Sequence, residues 1–299
     1  MVRKKSVSGM IFDTFNYIFL TLLALVCLYP VYHVLIGSFS DPVQLNRHYG
    51  AILKPLGFSL EGYKVVFHNP NIWSGYANTL FYVVVGTLCR MLFTLIGAYL
   101  LSRKDFVIRK GLTFIMVFTM YFSGGMIPTY LAMKSFGLLN SPFAVIFPGA
   151  VNVTNLIIAR TYFATSIPWE LQEAATIDGC SNTGLFLKIV LPLSMPIVAV
   201  IALYYLVGHW NAYFNALIYL SNEKLYPLQL FLRNILLMDQ MTEMMEGDSE
   251  ALQALMRRLQ LKESMKYGIV VLSSLPVLVI YPFLQKYFVK GVMIGAVKG

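Results

Sequence analysis

The sequence predicts an all-α polytopic membrane protein of six transmembrane helices, with a short polar element between the fourth and the fifth. Three observations carry that prediction. Of 299 residues, 58% are hydrophobic and only 12% charged, where a soluble globular domain carries roughly 25% charged residues. Mean hydropathy is +0.67, and the apolar residues come in long blocks. Alternating strands of about ten residues, the mark of a membrane barrel, are absent, and helices or closed barrels are the only spanning solutions.

The blocks are sharply bounded. Counting Asp, Glu, Lys, Arg and His, residues 17–37 hold only His33, residues 76–101 only Arg90, and residues 189–220 only His209. Residues 111–133, 141–159 and 267–285 hold none. About 20 apolar residues cross a bilayer as a helix. The predicted spans are therefore about 14–38, 76–102, 111–133, 141–162, 189–220 and 267–288. The first begins like a signal peptide, but its apolar run exceeds the usual ~7–15 residues and no A-x-A site follows, so it reads as a retained span. Cys27, Cys89 and Cys180 show no metal or redox spacing. No repeat is visible, and the spans are joined too closely for a second globular domain, so residues 1–299 read as one transmembrane domain.

Net charge is +9. With the N-terminus inside, the inner segments carry twelve basic and five acidic residues, the outer ones ten and nine. Basic excess in short cytoplasmic loops sets orientation, which places both termini in the cytoplasm. The same bias accounts for the basic pI without a nucleic-acid partner. Two outer segments are long: 39–75, rich in Pro, Gly and Asn and read as irregular, and 222–266. The latter opens with helical apolar spacing at Leu228, Leu232, Ile235 and Leu236, then runs through an acidic, Met-rich stretch to an amphipathic helix at Arg257 and Arg258. It reads equally as an interfacial helix with a linker or as a docking surface for an external partner.

The polar element, residues 166–190, falls on the cytoplasmic side. "ATSIPWELQEAATIDGC" gives a helix start, with Thr165 or Ser166 as cap, Pro168 in the first turn and Glu170 near the positive end of the dipole. Gly179 suits the left-handed residue that ends a helix. Ser181 or Asn182 then caps a second short helix, "TGLFLKIV", that runs into Pro192. The paired alanines leave room for a groove to close around the element, and Glu173 projects a charge for a cationic partner. Two acids on the first helix argue against a resting place on anionic lipid headgroups, which attract Lys and Arg.

Glu173, Ala174, Ala175 and Gly179, followed by Ile189, Leu191 and Pro192, make the pattern E-A-A-x-x-x-G, nine residues, I-x-L-P. It resembles the EAA loop of permease subunits in bacterial binding-protein-dependent ABC importers. The wider "SIPWELQEAATIDGCSNTGLFLKIVLPLS", "WNAYFNALIYL" and "KYFVKGVMIGAVKG" are similar to the carbohydrate-uptake branch, which includes the second permease of the maltose importer. The resemblance covers most of the chain from about residue 76 onward. It implies a permease of the bacterial cytoplasmic membrane that joins a second, homologous permease, two copies of a separate ATPase and an extracytoplasmic solute-binding protein. Residues 168–190 would be its coupling helices. The ATPase contact would use Glu170, Glu173, Ala174, Ala175, Asp178, Gly179 and Pro192, with Glu173 paired to an arginine of the ATPase. ATP and Mg would be bound by that partner. This chain holds no Gly-Lys dipeptide, so it lacks the loop that cradles phosphates.

For the substrate path, helical spacing along span five places Tyr204, Gly208, Asn211, Asn215 and Tyr219 on one polar stripe, with Tyr205, His209 and Tyr213 beside it. Polar groups are costly in lipid, so this face should look into a cavity or onto another helix. Rings and amides suit a sugar. Trp210 falls on the other side. Arg90, amid Gly86, Thr87, Thr94 and Gly97, points inward, either lining the path or holding a carbonyl cluster. Gly124, Gly125 and Pro128 predict a kink in span three, and Asn152 and Asn155 in span four read as contacts between helices. The expected function is half of the path for a sugar or oligosaccharide in an ATP-driven importer. The alternatives are a non-sugar or acidic-glycan cargo, or an ion-coupled transporter, for which the spans lack carboxylates. No cluster has catalytic or metal-ligand spacing.

Overall fold

The computed structural model describes residues 7–241 and 265–282. They fall into two compact units: residues 7–69 with 234–241 and 265–274, and residues 70–233 with 275–282.

In the first unit, α1 (Val7–Ser38) is one 32-residue helix that continues through Pro30. Apolar side chains, from Phe12 at 67% to Val31 at 58% exposure, cover it on all sides, as a lipid-facing helix requires. α2 (Pro42–Arg47) starts on Asp41, whose carboxylate accepts the Gln44 N–H. α3 (Glu61–His68) follows an irregular stretch. The 39–69 segment is sutured to α1: the Tyr32 hydroxyl donates to the Leu53 carbonyl at 2.7 Å, and the Tyr29 hydroxyl accepts the Ile52 N–H at 3.1 Å. The expectation of an irregular segment is thus met in part, with two short helices in it.

The second unit is organised around α4 (Pro70–Ser102), a 33-residue helix that starts earlier than the predicted span. α5 (Arg109–Tyr121) and α6 (Met126–Ser135) follow, bent by 116° at the break. Gly125 supplies the bend with φ 84°, a value that favours glycine. The kink read from Gly124, Gly125 and Pro128 is present, and it interrupts the span. The fourth span is not one helix either: α7 (Phe143–Ile146) and α8 (Val153–Ser166) are separated by an irregular turn through Pro148 and Gly149. Asn152 accepts the Asn155 N–H and caps α8, and its own N–H donates to the Tyr205 hydroxyl at 3.3 Å, the kind of contact between helices expected of it.

α9 (Trp169–Ile177) and α10 (Asn182–Leu185) form the polar element. A π-helical turn, Phe186–Val190, leads to α11 (Leu191–Leu193) and α12 (Met195–Trp210). Pro192 has no N–H and its ring crowds the carbonyl four residues back; the widened turn before it relieves both. α12 is bent by 85° from the preceding segment. It stops at Trp210, and α13 (Phe214–Tyr219) restarts after a break. The predicted continuous span 189–220 is therefore three pieces. α14 (Leu228–Met241) confirms the helical spacing that opens the second long segment; the acidic stretch and the Arg257–Arg258 helix lie outside the described residues. α15 (Met265–Pro282) is the last described helix.

Among the described residues α1, α4 and α15 are long and apolar enough to cross a membrane, and the two bent pairs raise the number to five. The sixth expected span is the one divided between α7 and α8. The core of the second unit joins α4, α8 and α12 through Leu95, Ala98, Leu156, Ala159, Phe163 and Ile201, and it includes Ala175 of α9 and Leu185 of α10. The polar element is thereby anchored to the membrane helices.

Candidate functional site

α9 is stopped by a left-handed glycine. Gly179 has φ 76°; its N–H reaches the Thr176 carbonyl at 3.1 Å, and the Cys180 N–H reaches Ala175 at 2.9 Å. These two bonds are the Schellman closure of a helix end. Ser181 then caps α10, its hydroxyl accepting the Gly184 N–H at 3.1 Å. The start of α9 differs from expectation. Thr165 and Ser166 belong to α8, and α9 begins at Pro168 without a side-chain cap.

The element has two faces. Gln172, Ala175 and Leu185 turn inward at 7%, 7% and 2% exposure. Glu170, Glu173, Ala174, Asp178 and Gly179 turn outward, as does Pro192. So Ala175 supports the element, whereas Ala174 lies on its surface. The Glu173 carboxylate accepts the Trp169 indole N–H at 2.7 Å, one helical turn away. The Lys104 ammonium lies 5.6 Å from the centre of that indole. Sequence reasoning missed Trp169 and Lys104, and also Ile177, which is 86% exposed. Ile177 sits four residues after Glu173, so the spacing that finds one exposed face finds the other.

It missed Arg103 as well. This guanidinium forks onto Asp105 at 2.8 and 2.5 Å, donates to the Tyr99 hydroxyl at 2.9 Å and reaches the Asn182 amide oxygen at 3.0 Å. It binds α4, the loop after it and α10 into one piece. The Arg103 hydrogen bonds hold the Asp105 carboxyl below the ordinary carboxylate range, and Asp105 and Tyr99 push the guanidinium further up. Between this loop and α9 lies a groove of about 450 Å³ lined by Arg103, Asp105, Trp169, Gln172, Glu173, Thr176 and Ile177. Among the described residues no group of three or more His, Cys, Asp or Glu is placed to hold a metal ion. The arrangement is suited to contact.

The polar stripe of span five divides. Because α12 ends at Trp210, helical bookkeeping holds only to that point. Tyr204, Gly208 and Asn211 are exposed on one side of α12, and Tyr213 is exposed beyond the break with the Arg233 guanidinium 5.9 Å from its ring. Asn215 is half-buried and Tyr219 is buried beside Tyr130. Tyr205 and His209 are buried, at 2% and 3% exposure, against α4. The Tyr205 hydroxyl pairs with that of Thr94 at 2.6 Å. Trp210, set aside in the sequence reading, is buried beside Tyr76. Arg90 donates to the Pro148 carbonyl at 2.9 Å, and its charge lies 5.8 Å from the Tyr205 ring.

This geometry can be set beside known proteins. The chain is 41% identical over 295 residues to the polygalacturonan/rhamnogalacturonan transport system permease protein YtcP of Bacillus subtilis (strain 168), covering 97% of this chain and 99% of that one. It is 40% identical to Protein LplC of the same strain, with 98% and 96% covered. Among solved structures it matches, with TM-score 0.84 and 34% identity over 95% of this chain and 98% of the other, a crystal structure of a bacterial ABC transporter involved in the import of the acidic polysaccharide alginate. Residues 79–294, which contain α9, its glycine turn and both faces of α12, match the profile of one family. The chain belongs to the family of binding-protein-dependent transport system inner membrane components.

Proposed function

We propose that this chain is one of two membrane-spanning subunits of an ATP-driven importer, and that its cargo is an acidic poly- or oligosaccharide. The observation that carries the reading is the two-faced helix pair α9–α10. Ala175 and Leu185 root it in the core of the membrane helices, while Glu173, Ala174 and Ile177 stand outward on a turn closed by Gly179. A rigid knob rooted in spanning helices transmits force; a floppy one does not. The relatives support the cargo: one at 41% identity is named for polygalacturonan and rhamnogalacturonan, and a structure at 34% identity belongs to an alginate importer.

The knob faces the cytoplasm, as do both termini, and seats in a separate ATPase that holds the nucleotide and its magnesium. Closure of two ATPase copies moves α9, and Arg103 carries the displacement into α4 through Tyr99. Rocking of one permease against its homologue then alternates the access of the path, a common transporter solution. An extracytoplasmic binding protein delivers the glycan, and the exposed Tyr204, Gly208, Asn211 and Tyr213 line its way.

Reconstitution tests this. Proteoliposomes holding the chain, its homologous permease and the ATPase, supplied with the binding protein, should take up oligogalacturonate only when ATP is enclosed on the ATPase side. Equal uptake without ATP, or driven by an ion gradient alone, would overturn the assignment.

A further inference from the structure

The second unit half-buries a positive charge for which its membrane helices offer no counter-charge. Between residues 76 and 162 the one acidic residue is Asp105, which is paired to Arg103, and residues 189–220 hold none. Arg90, in the middle of α4, has one carbonyl and one aromatic ring as neighbours, and its Nε is buried without a hydrogen-bond partner. A cation within a membrane span is costly and marks function by default.

Two more buried polar atoms without partners belong to the same stretch. One is Oγ1 of Thr87, three residues before Arg90 on α4, and residues so spaced are neighbours on a helix. The other is Nε2 of His209 on α12, a side chain 3% exposed. Its ring lies against Gly86, one turn before Arg90: a Cβ placed on Gly86 would stand 2.5 Å from that Nε2. The polar groups around them are engaged. The Tyr205 hydroxyl serves Thr94 at 2.6 Å and the Asn152 N–H at 3.3 Å, and the Pro148 carbonyl serves Arg90 Nη2.

A single orphan is a packing imperfection. Here a guanidinium N–H, a hydroxyl and an imidazole nitrogen that donates in one tautomer lie within about a turn of helix. The guanidinium N–H and the hydroxyl call for an acceptor, and the charge calls for a negative one, while the His209 ring bonds the Gly86 backbone beside them. Gly208, the residue before His209, is exposed, and a Cβ on it would meet nothing within 4 Å, so open space borders the neighbouring face of α12.

We propose that Thr87 and Arg90, walled by the His209 ring, form an intramembrane site for a small monovalent anion. Its source is either a uronate carboxylate of the passing glycan or a free inorganic anion. The first source rests on the cargo proposed above; the site itself does not.

The test is a melting titration of the assembled importer in nanodiscs, at constant ionic strength. The probes are sodium galacturonate, its neutral methyl ester and sodium bromide. In the wild type, galacturonate should raise the midpoint, and the methyl ester should act at least about tenfold more weakly, the scale of a hydrogen bond to a charged group. Arg90→Gln should abolish the response. Thr87→Val, nearly isosteric and thus safe for folding, should weaken it about fivefold, the scale of one neutral hydrogen bond. Competition between bromide and galacturonate supports the site with the glycan as its source. A response to bromide alone, weakened in Thr87→Val, keeps the site and overturns its tie to the glycan. No response to either probe, or equal responses in wild type and both variants, overturns the site. Uptake of acidic glycan by the wild type is scored apart, so a failed cargo assignment leaves the bromide arm readable.

Discussion

In the helix pair at residues 169–185, charged side chains are tied to neighbours of their own chain and still meet solvent. Glu173 holds Trp169, Lys104 covers the same indole, and Arg103 spans Asp105, Tyr99 and Asn182. Along the α4–α12 seam the opposite holds: Thr87, Arg90 and His209 each bury an atom with no partner. The difference teaches what each region is for. Exposed ion pairs contribute only about 0–1 kcal/mol to stability, so the first region's bonds set the shape of a surface that another protein must fit. A buried group left unpaired costs about 1–3 kcal/mol, so the second region holds free energy that a ligand or a movement can release.

The comparison breaks most sharply at Glu173. Glu173→Lys should lower ATP-driven uptake about a hundredfold, since losing one partner of a buried interfacial charge pair costs about 2–5 kcal/mol. The melting midpoint of the permease should stay unchanged, because the residue is exposed. Retained uptake would mean that the outward face has no charged partner.

Gly86→Ala probes the other region. The new Cβ would lie 2.5 Å from the His209 ring, and overpacking of this kind costs about 1–3 kcal/mol, read as a drop in melting midpoint. Gly111→Ala, where a Cβ meets nothing within 4 Å, is the silent control. Equal midpoints for the two variants would contradict the packing of α4 on α12.

Arg103→Ala should cut uptake about tenfold, the scale of a lost charge-assisted bond, while ATP hydrolysis continues, because the helix pair then loses its polar tie to α4 and keeps only its apolar root. The pH dependence follows in sign. The Asp105 carboxyl titrates below its ordinary value of 3.8. Its contribution is therefore complete above that value and is lost as pH falls through the depressed one. The gap in melting midpoint between wild type and Arg103→Ala should be flat from about pH 5 to 8 and narrow only in stronger acid. The smallest effect belongs to Trp169→Phe. It removes one hydrogen bond to Glu173 and should lower uptake less than about fivefold, which would sharpen the claim that the indole only positions the carboxylate.

Local chemistry was legible in the sequence where it is written in neighbouring residues. Gly179 and Ser181 announce the turn and the cap, and Gly124 with Gly125 announces the break before α6. Pro148 and Gly149 carry the same signal in the fourth span, which its apolar length alone presents as one helix. The break at residues 211–213 was not legible, because Asn211, Ala212 and Tyr213 include no proline or glycine, and an apolar run looks periodic on every face. Helical spacing separates Tyr205 and His209 from Tyr204 and Gly208; which of the two sets is buried against α4 is decided by packing. Arg103 was invisible for a related reason, since its partner Asn182 lies 79 residues away.

The central claim is that the outward face of α9 is gripped by a nucleotide-driven subunit, and a photo-cross-linking residue in place of Ala174 tests it most directly. In the assembled importer, illumination should join this position to the ATPase subunit, with a yield that changes when ATP is added. Cross-links to lipid alone, or none to the ATPase in either state, would contradict the account.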